Sequence, residues 1–169
     1  RRQRQMCIRD RNGIISNLHD FGTKTTADIE KELVKFSKER KMELILPSLY
    51  SELKGDALPN IVKQIGETKY LNHIIVGLDK ASKAEAVKAW KFFKKLNTPF
   101  TILWNDGPRL KKLHEELKEK DLAPSEMGKG RNVWYCLGMC IARDEARSVA
   151  LHDCDIKTYD RRMLAKLFY

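Results

Sequence analysis

The chain has 169 residues, 42% of them hydrophobic and 33% charged, enough apolar material for one buried core and one domain. No apolar run approaches the ~20 residues needed to cross a bilayer as a helix, so no membrane partner is expected. Lysine and arginine outnumber aspartate and glutamate by 33 to 23, and the net charge of +10 suits phosphate-bearing partners.

Residues 14–18 read as a short strand or an ordered extension. Residues 26–40 read as a helix, with Ile29, Leu33, Val34 and Phe36 as its apolar stripe. Asp28 and Glu30 lie early in it and Lys38 and Arg40 late, as the helix dipole favours. Met42–Leu46 is then a compact apolar strand, closed by Pro47. A helix follows over 57–65, with Asp56 as its expected N-cap. Leu71–Leu78, carrying Ile74, Ile75 and Val76, is a second buried strand. Residues 83–96 form an amphipathic helix with Val87, Trp90, Phe93 and Leu96 at helical spacing, and Phe100–Trp104 is the third strand. Asp106-Gly107-Pro108 opens another helix, proline fitting its first turn. A loop at 121–130, a helix at 131–143 and a fourth strand at 148–151 complete the series. Trp90, Phe92, Phe93 and Trp134 are expected in the core.

Strands alternating with helices of this length predict an α/β fold: a Rossmann-like, mostly parallel sheet flanked by helices, with right-handed crossovers. Ligands of such sheets bind beyond the carboxyl ends of the strands, where strand order reverses. The loops at 47–55, 79–82, 105–107 and 153–158 all belong to that edge.

Most basic residues are dispersed among acids, as in Lys111, Lys112, Glu115, Glu116, Lys118 and Glu119, which is the pattern of a solvated helix face. Only Arg1, Arg2, Arg4, Arg9 and Arg11 cluster, so nucleic acid is a minor reading. The cysteines at 7, 136, 140 and 154 lack metal-ligand spacing, and Cys136 and Cys140 read as a reduced, buried pair. With no charged-then-apolar leader, a cytoplasmic location is the expectation. The chain begins at Arg1 and stops at Tyr169 within an apolar-periodic stretch (Met163, Leu164, Leu167, Phe168), so it reads as part of a longer polypeptide.

Three segments carry candidate chemistry. Asp153 and Asp155 flank Cys154 directly after the last strand, where two hard carboxylates can share Mg²⁺ or Mn²⁺ with substrate phosphates. The alternative for them is a turn cap beside a solvated acid. Gly128-Lys129-Gly130 precedes a helix whose free N–H groups can meet an anion, with Lys129 adding charge; the alternative is a plain loop. Pro47, Ser48, Leu49 and Glu52 follow the first strand, and backbone groups there can meet a flat base or a ribose. Asp79 ends the second strand as a ribose or base acceptor, or as a cap. Of the histidines at 19, 73, 114 and 152, only His152 adjoins the acidic pair.

The order Leu46-Pro47-Ser48-Leu49 with Glu52, Gly128-Lys129-Gly130 with Trp134, and Asp153-Cys154-Asp155 resembles the glucosyl-3-phosphoglycerate synthases, which are GT-A glycosyltransferases. The resemblance spans about residues 42–160. It implies that residues 42–169 are the nucleotide-sugar-binding half of such an enzyme, after an N-terminal extension of 1–41 with one helix, and that the acceptor-binding half is missing. It further implies glucose transfer from UDP-glucose to a phosphorylated small acceptor such as 3-phosphoglycerate, with Mg²⁺ or Mn²⁺ as cofactor. Pro47, Ser48, Leu49 and Glu52 would contact the uridine, Asp79 and Ser82 the base side, and Lys129 the donor. Asp153 and Asp155 would hold the metal, Asp153 also reaching the nucleotide sugar; no catalytic residue is assigned. A homodimer is one expected assembly. GDP-mannose as donor, and a non-catalytic nucleotide- or nucleic-acid-binding α/β module, are the alternatives.

Overall fold

The structure, a computed structural model, describes residues 22–169. The segment expected at 14–18, the arginine cluster, Cys7 and His19 lie outside the described residues. The chain runs α1 (Thr26–Glu39), β1 (Met42–Leu49), a 3-10 turn (Tyr50–Lys54), α2 (Ala57–Gly66), β2 (His73–Asp79), α3 (Lys83–Phe93) and β3 (Phe100–Trp104). It continues through α4 (Pro108–Lys118), α5 (Lys129–Arg143), β4 (Ser148–Leu151) and α6 (Arg161–Phe168). No helix among the described residues is long and apolar enough to cross a membrane.

The four strands form one sheet in the order β3-β2-β1-β4, every pair parallel. This is the expected α/β architecture. Travelling from β1 through β2 to β3, the chain moves one way across the sheet; reaching β4 takes it back past β1. Right-handed crossovers then put helices of the two directions on opposite faces. The packing agrees. Leu44, Leu46, Ile74, Val76 and Ala150 share one core with Ile29 and Leu33 of α1, Leu58, Ile61 and Ile65 of α2, and Leu164 of α6. On the other face Ile45 and Ile75 meet Cys136 and Cys140 of α5.

β1 does not stop at Pro47, as the sequence suggested, but pairs with β2 as far as Leu49↔Asp79. Hydrogen-bond direction explains the tolerance. Met42 N–H donates to Asn72 Oδ1 (2.8 Å) on the β2 side, whereas Ile45 O accepts from His152 N–H (3.1 Å) on the β4 side. Alternation turns residue 47 toward β4, which has already ended at Leu151 opposite Ile45, so proline's missing N–H breaks no ladder bond.

Other expectations need correction. α3 ends at Phe93 rather than 96, and it buries Ala89 and Phe93 one turn apart. Trp90 lies off that line and is 49% exposed, beneath the Lys94 ammonium. Trp134 is 43% exposed for the same reason, since α5 buries Asn132, Tyr135, Cys136 and Cys140. Asp56 precedes α2 but makes no capping hydrogen bond, because its backbone is already helical rather than extended.

α5 is locked to the sheet by a polar contact at a glycine. Asn132 Nδ2 donates to Gly77 O (2.8 Å), and Asn132 Oδ1 accepts from Cys136 Sγ (3.6 Å). A Cβ on Gly77 would lie 1.7 Å from Asn132 Oδ1 and 2.6 Å from Cys136 Sγ. Gly77→Ala should therefore lower stability in urea unfolding by about 2 kcal/mol or more, through overpacking; an unchanged midpoint would contradict this docking.

His73, buried at the start of β2, shares a hydrogen bond between Nε2 and Thr101 Oγ1 (2.9 Å). Burial first, and the Arg143 cation second, hold its pKa below the ordinary histidine value. The sign follows from linkage. Above the unfolded pKa of about 6.5 the ring is neutral in both states and its stabilising packing is intact. As pH falls below that value the unfolded chain takes up the proton first, and stability is lost. The thermal midpoint should drop between pH 7 and pH 5, and His73→Gln should flatten the slope.

Candidate functional site

The crevice beyond the carboxyl ends of β1 and β4 is where strand order reverses, since β2 and β3 lie on one side of β1 and β4 on the other. An open cavity of about 220 Å³ occupies it. Of the nine sequence-predicted residues, Pro47, Ser48, Leu49, Glu52, Asp79, Lys129, Asp153 and Asp155 all line this cavity. Ser82 does not. It caps α3 instead, its Oγ exchanging hydrogen bonds with Glu85 Oε2 (2.8 Å) and Glu85 N–H (3.4 Å).

Each segment reaches the cavity for a local reason. The extension of β1 past Pro47 carries Ser48 and Leu49 to the rim, and Ser48 Oγ donates to Leu49 O (3.0 Å). The 3-10 turn then folds Glu52 back, and its Oε2 accepts from Leu49 N–H (3.0 Å). One carboxylate oxygen of Glu52 is thus engaged in shaping its own loop.

At the end of β2, Asp79 is only 4% exposed. Its Oδ1 accepts from Lys80 N–H (3.2 Å) and pairs with Arg131 Nη2 (3.3 Å). A buried acid needs such a partner, since an isolated charge there would be strongly disfavoured. Lys80 has a left-handed backbone, φ +52°, a conformation non-glycine residues seldom adopt, and it lines the cavity beside Asp79.

The Gly-Lys-Gly segment is not wholly loop, as read from sequence: α5 begins at Lys129. Gly128 has φ +144°, where a side chain would be strained, and it turns the chain into the helix. No side chain caps the helix start, and the first intrahelical bond is Asn132 N–H to Gly128 O. The N–H groups of the first turn therefore remain available to an anion.

From β4 the chain enters a turn in which Asp153 is half-buried, Cys154 buried and Asp155 exposed. Burial above all, then the Glu52 charge, pushes the Cys154 thiol well above its usual range. Its side chain packs into the main core below the turn. Among the described residues Cys136, Cys140 and Cys154 are free and buried, and burial pushes the thiols of Cys136 and Cys140 up to about 12. His152 turns away from the crevice: it is 5% exposed and its Nδ1 shares a hydrogen bond with Tyr159 Oη (2.9 Å). Asp153 Oδ1 carries the Lys129 ammonium, whereas the Asp155 carboxylate has no ion-pair partner among the described residues.

The donor set suits a hard divalent cation: two carboxylates on one turn, already attracting a positive group. Among the described residues no cluster of three or more His, Cys, Asp or Glu side chains forms a complete cage. Two carboxylates with phosphate oxygens and water completing the shell is a normal arrangement for Mg²⁺. Lys80 and Asn132 also line the cavity and Arg131 braces Asp79, none of them an expected site residue. Arg131 and Asn132 directly follow Gly130, so a helix start aimed at the crevice was their only signal.

No protein-family model matches the chain. It is 42% identical over 158 residues to a glucosyl-3-phosphoglycerate synthase of Persephonella marina, covering 94% of this chain and 39% of that protein. It is 33% identical over 156 residues to one of Methanococcoides burtonii, covering 92% of this chain and 38% of that one. The chain thus spans about two fifths of the length of these curated relatives. A crystal structure of glucosyl-3-phosphoglycerate synthase from Mycobacterium tuberculosis, in complex with Mn²⁺, UDP and glucosyl-3-phosphoglycerate, superposes with a TM-score of 0.47 at 16% identity, covering 83% of this chain and 41% of that one. Over nearly its whole length, the chain is a sequence homologue of the glucosyl-3-phosphoglycerate synthases.

Proposed function

We propose that this chain is the donor-binding part of a metal-dependent glycosyltransferase that moves glucose from UDP-glucose to 3-phosphoglycerate. The observation that carries the reading is convergence. Segments from the ends of β1, β2 and β4 and from the start of α5 meet on one cavity at the strand-order reversal. The name borne by the relatives supplies the transferred glucosyl group and the acceptor; UDP as its carrier is what the family resemblance implies.

In this reading Pro47, Ser48 and Leu49 present backbone to the uridine, and Glu52 accepts from the nucleoside. Asp79, held in place by Arg131, faces the base side. Lys129 and the free N–H groups of the first turn of α5 take the diphosphate. Asp153 and Asp155 hold Mg²⁺ or Mn²⁺, and the chemistry supplied by that ion is charge neutralisation on the departing diphosphate. Charge explains why a cation is required. The cavity is lined by four carboxylates, Glu52, Asp79, Asp153 and Asp155, against the two ammonium groups of Lys80 and Lys129. Arg131 offsets Asp79 from behind, but the remaining acids would repel a diphosphate lacking a bridging cation.

Calorimetric titration with UDP-glucose and with GDP-mannose, each with Mn²⁺ or with chelator, tests the reading. UDP-glucose should bind in Mn²⁺ and lose at least about tenfold in affinity with chelator, the scale of one charged contact removed. Asp155→Ala should abolish the metal-dependent part while shifting the thermal midpoint by no more than about 2 °C, because the side chain is exposed. Equal binding with chelator, or tighter binding of GDP-mannose, would overturn the assignment. Unfolding of Asp155→Ala would assign that carboxylate a structural role instead.

A further inference from the structure

The Lys129 ammonium rests on Asp153 Oδ1, on the acidic turn that the proposed function assigns to a divalent cation. Both side chains line the same cavity, Lys129 exposed and Asp153 half-buried (side chains 57% and 46% exposed), so neither is trapped in this contact. Lys129 is also the first residue of α5, beside N–H groups with no capping side chain. Two anions therefore compete for one ammonium: the Asp153 carboxylate in the donor-free protein, and the donor's diphosphate once it enters.

Resting on that functional reading, we propose that Lys129 is a built-in counter-cation for Asp153, which holds off the divalent cation until a diphosphate draws the ammonium away. A cation approaching Asp153 in the donor-free protein must displace Lys129 and accept its repulsion. With a diphosphate bound, the ammonium has a second anionic partner and Asp153 is released. Metal and nucleotide then bind with positive coupling, and by linkage each strengthens the other by the same factor. Part of that coupling resides in Lys129, beyond what direct contact between cation and phosphate provides. Asp155, with no ion-pair partner among the described residues, offers the cation a first foothold.

The test is Mn²⁺ affinity, read from the free-ion electron paramagnetic resonance signal, without and with saturating UDP. Wild type, Lys129→Gln, Lys129→Arg and Asp153→Asn are compared. Without UDP, Lys129→Gln should bind Mn²⁺ about threefold more tightly than wild type, the scale of an exposed ion pair. Lys129→Arg should stay close to wild type. The gain in Mn²⁺ affinity on adding UDP should shrink in Lys129→Gln. Unchanged or weaker Mn²⁺ binding by Lys129→Gln without UDP, while Asp153→Asn loses the ion, overturns the counter-cation alone. Undiminished Mn²⁺ binding by Asp153→Asn overturns the metal site and this proposal with it.

Discussion

Because β4 lies on the far side of β1 from β2, the chain must cross the sheet a second time, and the right-handedness of crossovers sends α5 to the opposite face. That single constraint opens a crevice between the carboxyl ends of β1 and β4 and aims the start of α5 at it. The polar groups at this edge have their places because of it. Gly77 lacks a side chain so that Asn132 can close the gap between helix and sheet. Arg131, one residue earlier, then reaches Asp79 at the end of β2. Lys129 and Gly128 are left at the mouth, opposite Asp153.

The site combines rigid and adaptable parts. Asp79 is buried and paired with the part-buried Arg131, and removing Arg131 would strand a charge in a poorly solvated place. The groups assigned to the diphosphate and the cation are different. Asp155 and Lys129 are exposed and can change partners without disturbing the core. In the proposed function the paired side would meet the nucleoside, and the exposed side, free to re-pair, would meet the diphosphate and its cation.

Much of this was legible in the sequence, for identifiable reasons. Apolar strands alternating with amphipathic helices pointed to a parallel sheet, and all four strands are present, β3 and β4 at the expected bounds, β1 running on to Leu49 and β2 spanning His73–Asp79. Strand-end loops carried Pro47, Asp79 and the Asp153–Asp155 pair, so the crevice could be located before any side chain was seen. The failures are equally physical. Pro47 suggested a stop because a central strand cannot lose a donor, and sequence does not reveal that β4 ends opposite Ile45. Trp90 and Trp134 looked like core because they are large and apolar, yet burial was decided by which stripe of each helix met the sheet. Ser82, set on the base side by the family resemblance, caps α3 in a box with Glu85 and does not line the cavity. Arg131 was invisible because a part-buried ion pair joining residues 52 apart leaves no local pattern.

The proposed function depends on one cation held by Asp153 and Asp155 at the exit of β4, with a nucleotide's diphosphate beside it. Anomalous scattering at a manganese-sensitive wavelength, from crystals grown with Mn²⁺ and UDP, addresses this directly. One strong peak is expected between Asp153 and Asp155, contiguous with density for the diphosphate near Lys129. A peak elsewhere on the surface, or ordered UDP in the crevice with both carboxylates turned away from its phosphates, would contradict it.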